Sequence, residues 1–320
     1  MKNLYKYLII LIFLTFISCS GGGGKDKYQY LSHEEINEFL DEIKLHYPSI
    51  TSIETVGYSQ SGRVIKALVI SSTPGAPGVK PAVRLTGGIH GDEKMSIELL
   101  VKFIEYLTSN YGADSTVTNM VNTRYICIIP VFNPDGLEEN SRYNIRGVDL
   151  NRNFNDAGNH WSAGSHQGTA AFSESETQAM VSFSSTINFN LSITYHVGSV
   201  LVNLPFDYAL ESVVKPNEYL LIKSYAKTYT NAAGGIFLTN PDLYNSSYMD
   251  EGTINGGNWY IITGSLQDWS YTVKNCLDLT IEVSRKNPDT EKGVEKVFMY
   301  NRDSIMEYIN LAGNHTFDGL

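Results

Sequence analysis

Cysteine is almost absent from this chain: three in 320 residues, one of them at position 19. That leaves Cys127 and Cys276, both inside apolar runs, as buried thiols or at most a single bridge. No disulfide framework holds this fold together. Basic clusters are also missing, since 24 Lys and Arg face 34 Asp and Glu for a formal charge of −10. An acidic chain without a basic patch argues against nucleic acid as a partner. No apolar stretch reaches the ~18 residues of a spanning helix. Internal repeats are absent too, which leaves a chain of this length to build an ordinary layered domain.

What is present begins with a leader. Lys2 and Lys6 form a short basic region, Leu8 to Ile17 is nearly all apolar, and Ser18 precedes Cys19. This layout predicts a secretory signal over residues 1–18. The Ser-Cys junction resembles a bacterial lipobox, which implies a lipid on Cys19 and attachment to a membrane through that lipid alone. Residues 19–27, with "SGGGGKDK", then form a flexible tether. The expected product is an exported, membrane-anchored lipoprotein, and losing Lys2 and Lys6 takes its charge from −10 to −12. A single domain is expected over 28–313, followed by a tail, "NHTFDGL", over 314–320.

Periodicity predicts a helix in "HEEINEFLDEIKLHYP", with Ile36, Phe39, Leu40 and Ile43 on one face, Ser32 as cap and Pro48 as stop. "GRVIKALVISS" reads as a strand, and "GAPGVKP" as a hairpin-like connection. "AVRLTGGIH" is a strand leading into a helix with the stripe Ile97, Leu100, Val101, Ile104 and Leu107. "RYICIIPVFNPDG" is a strand ending in a turn, and "SESETQAMVSFSSTI" a helix capped by Ser173. "LSITYH" and "LDLTIEVS" are buried strands, and "VEKVFMYNRDSIMEYINLAG" is helical. Alternating strands and helices predict a mixed, centrally parallel, twisted α/β sheet flanked by helices.

Four strand-like runs end in polar residues: His90, the 133–136 turn, His196 and Glu282. Sites in open α/β sheets gather at the carboxyl ends of strands. His90 and Glu93, three apart where a strand becomes a helix, can supply two ligands of one metal ion, and His196 a third. A surface histidine and a helix-starting glutamate are the plainer account of the first pair, and a hydrogen-bonded core histidine of His196.

The motifs "YSQSGRVIKALVIS", "GGIHGDE", "NPDGLEENSRYNIRGVDLNRNF", "FSESETQAM", "LSITYHVGSVLVNLPFDY" and "NGGNWYIITGSLQDWSYTVKNCLDLTIEVS" change that balance. In this order, from about Tyr30 to Ala312, they resemble the zinc metallocarboxypeptidases, and within them the regulatory type of carboxypeptidases N, E and D. The resemblance implies a zinc carboxypeptidase-like (phosphorylase/hydrolase-like) fold and one Zn2+ held by His90, Glu93 and His196. It implies that Glu282 is the general base, Arg142 the oxyanion-stabilising residue and Asp149 the carboxylate that orients His90. Asn151 and Arg152 match the pair that grips the substrate's C-terminal carboxylate. Tyr260, twenty-two residues before Glu282, matches the substrate-binding tyrosine. Tyr271 and Arg146 are then decoys.

Asp207, eleven residues after His196, and Gln267 match pocket positions of the regulatory type and imply release of C-terminal Lys or Arg from peptides or proteins. The chain departs from the type at Val197, where glycine is common and a larger side chain narrows the cleft, and at Ser175, which replaces a proline. Two other functions compete. Cell-wall peptide amidases carry segments like "RGVDLNRNF", which makes murein peptides an alternative substrate. A non-catalytic peptide-binding lipoprotein is the alternative of another class, and the intact ligand set with Arg142 and Glu282 argues against it.

Overall fold

The structure is a computed structural model that describes residues 27–238 and 249–319. The expected signal and Cys19 lie outside the described residues. No helix among those described is long and apolar enough to cross a membrane.

One eight-stranded sheet organises the described chain: β1 (Thr51–Tyr58), β2 (Val64–Ile70), β3 (Ala82–Thr86), β4 (Tyr125–Ile129), β5 (Phe189–His196), β6 (Leu201–Leu204), β7 (Thr253–Asn255) and β8 (Leu277–Glu282). Its spatial order is β1-β2-β4-β3-β5-β8-β6-β7. The four central strands, β4-β3-β5-β8, are mutually parallel, and antiparallel pairs join the flanks to them. The expected mixed, centrally parallel sheet is therefore observed. "GAPGVKP" is not a hairpin, because β2 pairs with β1 and β4, and the connection carries the chain past β4 to β3.

Helices cover both faces. Helix α1 (His33–His46) starts at Ser32, whose hydroxyl and Glu35 form a reciprocal capping box. With α2 (Lys94–Asn110), α3 (Ser115–Thr123), α6 (Tyr219–Ala232) and α9 (Glu291–Asn310) it covers one face, burying Leu100, Ile193, Leu279 and Ile305. A second core, with Met180, Phe183, Leu266 and Trp269, lies under α5 (Ser175–Phe183) and α8 (Leu266–Lys274). Two short helices, α4 (Pro134–Glu138) and α7 (Gly256–Trp259), complete the α-helices among the described residues, beside 3-10 turns at Leu150–Arg152 and Ile236–Leu238. The cap of α5 is Glu174 rather than Ser173, and its side chain makes no capping bond. Cys127 and Cys276 are buried free thiols, so neither is bridged. The segment expected to be a tail packs back on the domain, with Phe317 buried against Tyr225 and Tyr271.

Strand alternation sends Leu277, Leu279 and Ile281 of β8 to the first core, and Asp278, Thr280 and Glu282 to the opposite face. There Asp278 pairs with the buried Arg84 of β3 at 2.9 Å. Arg84 also donates to Ser184, Ser192 and Ser270, and Asp278 accepts from Thr194 on β5. Removing one partner of a buried pair strands the other charge. Asp278→Ala is expected to cost about 3–5 kcal/mol of unfolding free energy, measured by urea denaturation. A loss under 1 kcal/mol, the scale of an exposed pair, would contradict this account.

Candidate active site

The site forms at the carboxyl ends of the central strands. After β3 the chain turns through Gly87 and Gly88. A Cβ on Gly87 would stand 2.8 Å from the carbonyl oxygens of Pro130 and Ser96, and Gly88 adopts φ +58°, a conformation that disfavours side chains. His90 and Glu93 follow at once, with Glu93 at the start of α2. His196 is the last residue of β5 and lies in register with Glu282, the last of β8. The fourth strand end behaves differently. Asn133 props the His90 loop by donating to Ile89 O at 3.4 Å, and Asp135 binds Ser59 and Arg63 at 3.0 and 2.7 Å. That turn is scaffold and does not line the site.

His90, Glu93 and His196 are buried and bring one ligand atom each to within 4.8 Å of one another. His90 Nδ1 lies 2.7 Å from Glu93 Oε1 and 3.1 Å from His196 Nδ1, and His196 Nδ1 lies 3.0 Å from Glu93 Oε2. The other nitrogen of His90, Nε2, sits 3.0 Å from Asp149 Oδ1. That contact turns Nδ1 toward the centre of the cluster and fixes the ring. Two imidazole nitrogens that face each other at this distance cannot both carry protons.

Charge tells the same story. Burial alone would lower His90, but the Glu93 and Asp149 carboxylates outweigh it and raise it to about 9. His196 is lowered by burial. Burial would raise Glu93, yet His90 and His196 hold it well below the usual carboxylate range. The cluster calls for positive charge at its centre, and the donor set of two imidazoles and a carboxylate suits zinc.

The remaining residues surround a cavity of about 200 Å³ lined by the three candidate ligands together with Arg142, Asn151, Asp207, Tyr260 and Glu282. Arg142 donates to Asp149 Oδ2 at 3.0 Å and to Glu93 Oε1 at 3.3 Å. Asn151 lines the cavity with its Oδ1 accepting from Leu266 N at 2.9 Å, a bond that leaves its amide Nδ2 unspent. Glu282 accepts from Ser199 N at 3.1 Å; burial, and then Glu93, push it up to about 8. Tyr260 is 47% exposed at the rim.

Two predicted residues stand behind the wall rather than in it. Arg152 Nη1 donates to Asn151 O at 2.8 Å, and Gln267 Nε2 reaches Asp207 Oδ1 and Asn203 Oδ1 at 3.3 Å each. The decoys lie elsewhere: Tyr271 donates to Glu218 at 3.1 Å and Arg146 lies 3.7 Å from Glu174.

Sequence reasoning missed Asn203, Trp259, Ile262 and Thr280, which also line the cavity. Asn203 donates to Asp207 Oδ1 at 3.0 Å, a contact that its place on an apolar strand hides. Asp268 was missed as well; both its oxygens accept from Asp207 N, at 3.1 and 2.9 Å. Val197 does line the cavity, and its N–H donates to Glu93 Oε2 at 3.0 Å.

A buried His-Glu-His set at the carboxyl edge of a centrally parallel α/β sheet defines the class, a metalloenzyme. A family model described as zinc carboxypeptidase matches residues 36–311. The chain is 32% identical over 287 residues to carboxypeptidase D of Rattus norvegicus, covering 85% of this chain and 20% of that protein. It is 31% identical over 301 residues to carboxypeptidase M of Mus musculus, covering 88% of this chain and 65% of that protein. The chain thus spans about a fifth of the length of the carboxypeptidase D it matches. The solved carboxypeptidase A of Helicoverpa armigera shares the fold with a TM-score of 0.74 at 20% identity, over 98% of this chain and 82% of that one. A murein-tripeptide amidase of Escherichia coli O157 shares it at 0.52 and 19% identity, over 80% and 92%. The chain belongs to the zinc carboxypeptidase family, whose cofactor is a single zinc ion.

Proposed function

We propose that the protein is a zinc-dependent exopeptidase that hydrolyses the C-terminal peptide bond of peptides or proteins and prefers to release Lys or Arg. The observation that carries this reading is the convergence of His90, Glu93, His196, Arg142 and Glu282 on one cavity. A zinc ion held by His90, Glu93 and His196 supplies Lewis acidity, which polarises the scissile carbonyl and acidifies a water.

Glu282 takes the proton from the attacking water and returns it to the leaving amine. Its ordinary carboxyl range would make it a weak base, and burial strengthens it. Arg142 donates to the carbonyl oxygen as negative charge develops there, a contribution typically worth about 3 kcal/mol. Asn151 Nδ2 donates to the free C-terminal carboxylate, with the Arg152 guanidinium behind it supplying positive charge. An internal peptide bond offers no carboxylate at this place, so an end is selected.

Asp207 lines the cavity beyond these groups, buried, with Asn203, Gln267 and Ser265 as neutral hydrogen-bond partners. A cationic side chain is the complementary occupant. The cell-wall alternative differs in product, and the peptide-binding one forms none. Glu282→Gln is expected to lower kcat by about 10³-fold with zinc content unchanged, as for loss of a general base. Equal rates for the two proteins would instead mark a binder.

On peptides that differ only in a C-terminal Lys, Arg, Leu or Phe, the first two are expected to be cut faster. Asp207→Asn should reduce their kcat/KM by about 30-fold or more, the lower end for losing a buried charge partner. Preference for Leu or Phe, or release of diaminopimelate from murein peptides alone, would overturn the substrate assignment.

We also propose export with a lipid on Cys19, on the strength of the leader and its Ser-Cys junction. Cys19→Ser is expected to move the protein from the membrane fraction to the soluble one on cell fractionation. Retention in the membrane would refute the lipid anchor.

A further inference from the structure

The first turn of α2 raises a problem that the chain solves from far away. A helix start leaves N–H groups without intrahelical partners, and the residue at the cap position ordinarily satisfies one of them with its own side chain. Glu93 holds that position and makes no side-chain capping bond. Its carboxylate is turned away to His90, His196 and Val197 N. The Met95 N–H, two residues into the turn, therefore needs another acceptor.

Asn287, five residues beyond Glu282, supplies it. Its Oδ1 accepts from Met95 N at 2.9 Å, and its Nδ2 donates to Asp92 O at 2.7 Å. One amide side chain thus grips the backbone on both sides of Glu93. Its own loop is held in turn by the start of the domain. Tyr30 Oη donates to Pro288 O at 2.8 Å, and Tyr28 N to Asp289 O at 2.8 Å. Tyr28 Oη then reaches Glu98 of α2 at 2.7 Å.

We propose that Asn287 is a positioning residue for the metal centre: it caps α2 in place of Glu93, so that the Glu93 carboxylate is released from capping and held toward the metal. The inference rests on the assignment of Glu93 as a zinc ligand. It adds a physical link between the loop that follows Glu282 and the loop that carries His90 and Glu93. Both segments leave parallel strands of one sheet, and the side chain spans them directly.

The test is the zinc affinity of the metal-free protein, measured by competition with a chromophoric chelator for the native chain, Asn287→Ala, Asn287→Asp and Glu93→Gln. Asn287→Ala is expected to weaken zinc binding by about 10- to 100-fold, the usual effect of removing a partner that orients a ligand. The melting temperature of the metal-free protein should stay within a few degrees of native. Asn287→Asp keeps an acceptor for Met95 N but sets a carboxylate oxygen against Asp92 O, and it is expected to weaken zinc binding as well.

Native-like affinity within twofold in Asn287→Ala, beside a clear loss in Glu93→Gln, overturns the inference and leaves the ligand set standing. Native-like affinity in Glu93→Gln overturns the ligand assignment and the inference with it. A cap that is merely structural lowers the melting temperature without changing zinc affinity, and that result also overturns the proposal. Should Asn287→Ala not fold, Asn287→Asp decides by the same twofold criterion.

Discussion

The register of three neighbouring parallel strands is the constraint on which the rest depends. β3, β5 and β8 lie side by side, and β5 pairs with β8 so that His196 stands opposite Glu282. Side chains alternate along a strand, so a slip of one residue would send every one of them to the other face. His196 or Glu282 would then enter the apolar core under α2 and α9. Arg84 and Asp278 make such a slip costly, because it would leave an unpaired charge among leucines and isoleucines. Buried ion pairs add little net stability compared with apolar packing, and a lock on register is the more economical account of this one.

With the strands fixed, the site becomes a problem of charge balance. Glu93, Asp149 and Glu282 are buried carboxylates. Arg142 bridges the first two, and the histidines supply the rest of the compensation. Asp149 has two duties, since one oxygen orients His90 and the other accepts from Arg142. It therefore couples the direction of the His90 ring to the position of the Arg142 guanidinium in the cavity wall. Glu282 accepts from Ser199 N through Oε2 and stands directly in the cavity wall.

Legibility in the sequence followed the range of the forces involved. Helix α1 was readable to its cap because Ser32 and Glu35 act within one turn. The strands bearing His196 and Glu282 were readable because runs such as "LDLTIE" alternate apolar with polar residues, the period of a strand. Strand β1 carries only two buried residues in eight, and β6 and β7 are four and three residues long, so none gave a usable pattern. The connection "GAPGVKP" looked like a hairpin because Gly and Pro report a change of direction, not the destination. Asn203, Asp268 and Asn287 were invisible for a related reason. Each acts by touching backbone or side chains brought near by the fold, and short polar side chains leave no periodic trace.

The specificity pocket shows how such hidden residues constrain chemistry. Asp207 is buried, and a Cβ on Gly256 would come within 1.9 Å of its Oδ1, so the absence of a side chain there lets the carboxylate occupy its place. Asp268 lies beneath, held to the same loop through Asp207 N. Burial raises both carboxyls; the Ser265 hydroxyl and the amides of Asn203 and Gln267 hold Asp207, with Arg152 the nearby cation, and backbone N–H groups hold Asp268. Neutral donors can orient a buried carboxylate but cannot cancel its charge. Taking up a proton or gaining a further cationic neighbour are the two ways such a carboxyl lowers the cost of its burial. The amides of Asn203 and Gln267 both aim at one oxygen, Oδ1, and so fix the direction of the carboxyl whichever way its charge is offset.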